Sequence, residues 1–217
     1  MRLEVPDRGF GYRAGQWVRV GPDGSATLSP YSIASAPEET ARHGFIEFLL
    51  KLDAHERWGD GFVSPTRGQE LTVRGPFGRF TFPETPPERH FLFIAGGTGI
   101  APLRSMLRHA HATGLAGSYR LLYSARTPDE FAYLTELRGM ARRGELQLAA
   151  TATRGGGDRW HGDRGRVTAS QLSALIDTPA TLCFICGPAA MVNEVPEMLT
   201  GLGIDRSRIR VEENYEL

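Results

Sequence analysis

The chain has 217 residues, 41% of them hydrophobic and 23% charged, and its 25 basic and 25 acidic residues cancel to a formal charge of zero with histidine neutral. That balance gives no basis for nucleic acid as the main partner, and no apolar run approaches the roughly 20 residues of a membrane span. The opening "MRLEVPDRGF" carries no apolar segment of signal-peptide type, so the cytoplasm is the expected location.

Through the first eighty or so residues, turn residues recur at the spacing of about 8 to 12 that all-β domains show. Between them lie "QWVRV", "YSIAS", "FIEFLLKL", "ELTVRG" and "RFTF", each short and apolar or alternating. The rhythm predicts an antiparallel barrel or sandwich. "PETPPERH", residues 83–90, holds three prolines and reads as a linker.

Beyond the linker, strand and helix alternate. "HFLFIAG" predicts a strand, and "APLRSMLRHAHATG" a helix closed by Gly114. "YRLLYSAR" predicts a strand. "TPDEFAYLTELRGMARRG" predicts a helix with Thr127 as N-cap and Pro128 in the first turn. "LQLAATATR" predicts a strand, and "TASQLSALI" a short helix capped by Thr168 or Ser170. "TLCFICG" predicts a strand, "AAMVNEVPEMLTGLG" a helix kinked at Pro196, and "RIRVEENY" a last strand. This order argues for a parallel sheet covered on both faces.

Gly96, Gly97 and Gly99 fall where the first of these strands hands over to a helix. Ligands of open α/β sheets bind outside the carboxyl ends of strands. A helix N-terminus there offers unpaired N–H groups to phosphate, and glycine lets a ligand approach the backbone. Cys183 and Cys186 form a C-x-x-C, yet they sit inside a strand-like run and have no second pair to complete a zinc site.

In chain order, "AGQ", "YSIAS", "GPFGRF", "GGTGIAP", "LLYSART", "TATRGGGDRWHGDRGRV", "CGP" and "EENY" resemble the ferredoxin–NADP reductase family of flavoprotein reductases. The resemblance covers nearly the whole chain. It implies an antiparallel flavin-binding β barrel over residues 1–87, followed by an NAD(P)-binding α/β parallel-sheet domain over residues 88–217. The implied activity passes a hydride from NAD(P)H to FAD, and electrons from there to a carrier such as ferredoxin, an iron–sulfur protein or an oxygenase component.

The resemblance also assigns residues. Tyr31 would stack on the flavin ring and Ser32 hydrogen-bond its N5, with Ile33 in the same segment. Phe48, Leu49 and Lys51, with Arg57 and Gly59 behind them, would form the second flavin segment. Gly96, Gly97, Thr98, Gly99, Ile100 and Pro102 would cradle the nucleotide pyrophosphate. Cys186, Gly187, Pro188 and Met191 would place the nicotinamide, with Tyr215 near the C-terminus. The catalytic set would be Ser32, Cys186 and an acid, Glu213 or, as the second choice, Glu212. Arg126 and Arg154 would meet the adenosine ribose and favour NADPH over NADH.

One departure bears on the flavin. Ser29 stands where the family's R-x-Y-S motif has the arginine that holds the flavin phosphate, and the family's usual first strand precedes the segment that begins here at "RLEV". Lys51 or Arg57 is the candidate substitute. FMN in place of FAD, an NAD(P)H:flavin reductase using free flavin, and a non-catalytic subunit of a redox complex are the alternatives.

Overall fold

The computed structural model describes residues 1–5, 10–52, 57–58, 62–63, 65–155 and 160–212, with only the backbone described at 57–58 and 62–63. Its N-terminal part holds β1 (Arg2–Glu4), β2 (Trp17–Pro22), β3 (Ser29–Ser32), α1 (Pro37–His43), β4 (Phe45–Glu47), β5 (Arg57–Trp58), β6 (Phe62–Val63) and β7 (Leu71–Phe77). Then follow β8 (His90–Gly96), α2 (Ile100–Ala112), β9 (Ser118–Ala125), α3 (Leu134–Arg142), β10 (Gln147–Ala152) and β11 (Asp163–Arg164). α4 (Ala169–Ser173), β12 (Leu182–Cys186), α5 (Ala189–Gly201) and β13 (Ile209–Val211) complete the chain.

The N-terminal strands pair antiparallel throughout, as β1–β4, β3–β2–β7 and β5–β6. They close on a core of Tyr12, Val18, Val20, Ile33, Ile46 and Phe48. The last six strands form one parallel sheet in the order β11-β10-β9-β8-β12-β13. Its central strands are apolar on both faces. Phe91, Phe93, Leu182, Phe184 and Cys186 face the core under α2 and α3. Leu92, Ile94, Cys183 and Ile185 face the core under α5. The two cysteines therefore point to opposite sides of one strand and share no site.

Three elements, "RFTF", "FIEFLLKL" and the helix after Thr127, differ from the sequence expectation, while the Thr168 cap agrees with it. "RFTF" forms no strand; Phe80 and Phe82 turn into the α/β core, where Phe82 stacks on Phe184 at 5.6 Å and meets Phe91 at 5.1 Å. "FIEFLLKL" pairs only through β4 and a single bridge, Ile33 to Phe48. The helix expected from Thr127 starts late: a 3-10 turn spans Pro128–Glu130, Thr127 makes no side-chain cap, and α3 begins at Leu134. Phe131 breaks the helix by turning inward, stacked on Trp160 at 4.9 Å and edge-on to Tyr123. α4 is capped by Thr168, whose Oγ1 accepts from the Gln171 amide. α5 runs through Pro196 without interruption of the helix.

α1 was not anticipated, although its signals stand in the sequence. Pro37 opens it, Glu38 and Glu39 fill its first turn, and Gly44 ends it at φ 71°.

Phe82 is the wedge between the two parts of the chain. Phe82→Ala should cost about 3–5 kcal/mol, the range for a deleted core aromatic. Urea unfolding measures it; a loss under about 1 kcal/mol would mean that the two parts do not share a core.

Candidate functional site

The sheet changes winding direction between β8 and β12. From β8 the chain winds outward through β9, β10 and β11, then crosses back to place β12 on the other side of β8. Cys186 lies opposite Ala95 in that register. The carboxyl ends of these two strands thus diverge into turns at the point where α/β sheets bind ligands. β8 leads into a 3-10 turn, Gly97–Gly99, and then into the N-terminus of α2.

The glycines of that turn divide into two kinds. A methyl group on Gly99 would overlap the Cys186 carbonyl, and one on Gly96 would lie 2.5 Å from Pro188 Cδ. One on Gly187 would lie 3.0 Å from Gly96 Cα. Gly99 and Gly187 are glycine because the two strand ends pack backbone against backbone, and Gly96 is pressed by the side chains of Pro188 and Met191. Gly97 differs: its φ is 54° and the position a Cβ would take has no atom within 4 Å. Only Gly97, with its carbonyl held by the Tyr123 hydroxyl at 3.1 Å, keeps the open backbone that the sequence suggested for the whole run.

A cleft of about 860 Å³ opens above these turns. The N-terminal part contributes Tyr31, Ser32, Leu49 and Lys51 to its wall. The sheet contributes Gly96, Gly97, Thr98, Gly99, Arg126 and Arg154, and the β12–α5 turn contributes Cys186, Gly187, Pro188 and Met191. Fourteen residues singled out from sequence therefore meet in one place. Four do not reach it: Ile33, Phe48 and Ile100 are fully buried in the cores, and Pro102 is buried within α2. Ile33 and Phe48 face each other across an isolated bridge and belong to the N-terminal core. Gly59, Glu213, Tyr215 and the Arg57 side chain lie outside the described residues.

Glu212 takes the place expected of the acid. It lines the cleft, its amide donates to Ile185 O at 2.9 Å, and its Oε2 is buried with no hydrogen-bond partner among the described residues. Burial pushes its carboxyl up to about 8. Burial, and then the charge of Glu212, push the Cys186 thiol well above the usual thiol range, so it stays protonated at neutral pH.

Further out, the amide of Arg154 donates to Arg126 O at 2.6 Å, which sets the two arginines side by side at the ends of β9 and β10. Both side chains are exposed, and neither has a carboxylate partner among the described residues. Arg166, not singled out from sequence, lines the same end of the cleft and lies 3.8 Å from Glu194. The tryptophan motif is structural. Trp160 Nε1 donates to Asp163 O at 2.8 Å and its ring covers Phe131.

The family model described as an oxidoreductase NAD-binding domain matches residues 93–197. "Ferredoxin--NADP reductase B" of Sorangium cellulosum is 36% identical over 94% of this chain and 86% of its own length. A glycine betaine monooxygenase reductase subunit of Pseudomonas aeruginosa is 31% identical over 94% of this chain and 56% of its own. A ferredoxin NADP+ reductase from Neisseria gonorrhoeae, solved with bound FAD and NADP, has the same fold, with a TM-score of 0.75 at 21% identity over 99% of this chain and 91% of that one. The chain belongs to the ferredoxin–NADP reductase family of NAD(P)H-dependent flavin oxidoreductases.

Two predictions follow from the geometry. Gly99→Ala should cost about 3 kcal/mol, because its overlap is with backbone that cannot step aside. Gly97→Ala should cost only about 1 kcal/mol for its left-handed conformation and should instead raise the KM for nucleotide. Equal losses of stability would contradict the division. Glu212 carries a pH signature. Its folded value lies above the ordinary carboxyl value of 4.5, so the folded state holds its proton more tightly than the unfolded chain. Stability is therefore full below about pH 4.5 and is lost as pH rises to about 8. Glu212→Gln should flatten that fall in thermal midpoint; an unchanged slope would show the carboxyl to be solvated.

Proposed function

We propose that this chain passes a hydride from NADPH to FAD, and electrons from there to a carrier protein such as ferredoxin, an iron–sulfur protein or an oxygenase component, in the cytoplasm. Residues 1–87 serve as the flavin domain and residues 88–217 as the nucleotide domain. One observation carries the reading: Tyr31 and Ser32 from the N-terminal part share a cleft with the Gly97 turn and Cys186 from the sheet. No helix among the described residues is long and apolar enough to cross a membrane.

The residues fit both groups. A flavin, when bound, accepts a hydride as a pair of electrons and releases electrons singly. Tyr31 offers an aromatic face and Ser32 a hydroxyl at the cleft wall. The α2 N-terminus and the open Gly97 turn offer N–H groups and a positive dipole end to pyrophosphate. Cys186, held as a neutral thiol, supplies a small side chain that lets the nicotinamide come within the roughly 3 to 3.5 Å that transfer requires. Glu212, largely protonated at neutral pH, holds a proton at the cleft wall, and giving it up leaves a carboxylate there. Lys51 supplies the cation that Ser29, buried at the start of β3, does not. Arg126 and Arg154 bind the 2′-phosphate that distinguishes NADPH.

Ser29 favours one further reading, that of an NAD(P)H:flavin reductase for which flavin is substrate. The dependence on added flavin separates them. NADPH oxidation with a one-electron acceptor should become independent of flavin once one equivalent is bound. A rate that keeps rising hyperbolically with free flavin would assign the reductase instead.

Cofactor choice is tested at Arg154. Arg154→Ala should raise the KM for NADPH about tenfold, the loss of one charge-assisted contact, and leave that for NADH unchanged. Equal effects on both nucleotides would remove the 2′-phosphate from this corner of the cleft.

A further inference from the structure

A buried charge cluster joins the two parts of the chain beneath the cleft. Its centre is Arg104, in the second turn of α2 and only 3% exposed. Its Nη1 donates to the Ala34 carbonyl at 2.7 Å and lies 3.3 Å from Glu47. Its Nε and Nη2 reach Glu136 of α3 at 3.0 and 2.9 Å. The plane of the guanidinium lies over the Tyr133 ring, 4.0 Å from its centroid. The Tyr133 hydroxyl bonds the Glu47 carboxylate in turn.

Two features set this apart from ordinary interface packing. Tyr133 adopts φ 59°, the left-handed conformation that bulky residues avoid, and it is the one non-glycine residue to do so among the described residues. The strain buys the position of its ring under Arg104. The rest of the same α2 face also points to the N-terminal part. Ser105 Oγ donates to Ser35 O at 2.6 Å, His109 meets Glu38 at 2.8 Å, and Arg108 pairs with Glu39 and Glu136.

The position of Arg104 in the chain gives the cluster its meaning. Ala34 lies two residues after Ser32, just past the end of the strand β3 that brings Tyr31 and Ser32 to the cleft wall. Arg104 stands two helical turns beyond Gly97, on the helix that starts at the nucleotide turn. One guanidinium thus links the two segments whose separation the hydride must cross.

We infer that Arg104 is a positioning residue that fixes the separation of the Tyr31–Ser32 segment from the Gly97 turn, and so the alignment of the two reacting rings. The catalytic consequence rests on the proposed function; the mechanical one does not. Arg104 does not line the cleft. A lysine keeps the charge and loses the planar fork that engages Ala34, Glu47 and Glu136 together.

The test compares wild type with Arg104→Lys, each carrying Glu70→Cys and Ser173→Cys as spin-label sites on the two parts. Both sites are exposed, and Cys183 and Cys186 are buried from the label. Expected is a narrow inter-label distance distribution in wild type that broadens in Arg104→Lys. With it, the rate of flavin reduction by NADPH should fall at least tenfold while the Kd for NADPH stays within twofold. An unchanged distribution overturns the inference, and so does broadening that leaves the rate intact. Should wild type prove unable to take up flavin, the proposed function falls and the distance distributions alone decide for or against the clamp. Should Arg104→Lys not fold, Tyr133→Phe removes the hydroxyl bond to Glu47, keeps the ring, and is read by the same two measurements.

Discussion

The close approach of two strand ends is the constraint on which the site depends. Gly96 and Gly99 lie so near Cys186 and Gly187 that no side chain fits between them. That approach brings the turn after β8 and the turn after β12 to one spot, so a helix N-terminus and a neutral thiol face the same space. It also explains why three of the four glycines at the junction are glycine without reference to any ligand. Gly97 alone is left to face one.

The second requirement is that the N-terminal part be held over this spot. It brings Tyr31, Ser32 and Lys51 to the cleft wall and buries Ile33 and Phe48 in its own core. Two different devices hold it there. Phe80 and Phe82 insert into the apolar core beneath α2, which supplies stability. The Arg104 cluster adds directional bonds to two carboxylates and a carbonyl, which fix an orientation that greasy contact alone leaves free. Buried ion pairs contribute little net stability, so the weight of this cluster lies in the geometry its bonds hold, and geometry is what hydride transfer needs.

Much of this was legible in the chain itself. The alternation after residue 90 predicted the parallel sheet, and the spacing of "GGTGIAP" and "CGP" placed both motifs at strand ends. What stayed hidden has physical reasons. Phe80 and Phe82 alternate like a strand, but both pack on Phe184, far along the chain in β12. The late start of α3 depends on Phe131 finding Trp160, a contact no local pattern announces. Nothing local in the sequence marks Arg104 as buried; its partners Ala34, Glu47, Tyr133 and Glu136 come from distant segments. Strand alternation near the chain end leaves the choice between Glu212 and Glu213 open; the amide bond to Ile185 continues the sheet and brings Glu212 to the cleft, and Glu213 lies outside the described residues.

The central claim is that one cleft brings nicotinamide and flavin into reacting contact. Anaerobic NADPH mixed with the flavin-loaded protein tests it most directly, followed at the flavin absorption band near about 450 nm. The account predicts bleaching in a single saturable phase, at a rate set by the protein and not by free flavin. Flavin and NADPH that both bind and yet leave the band unchanged would contradict it.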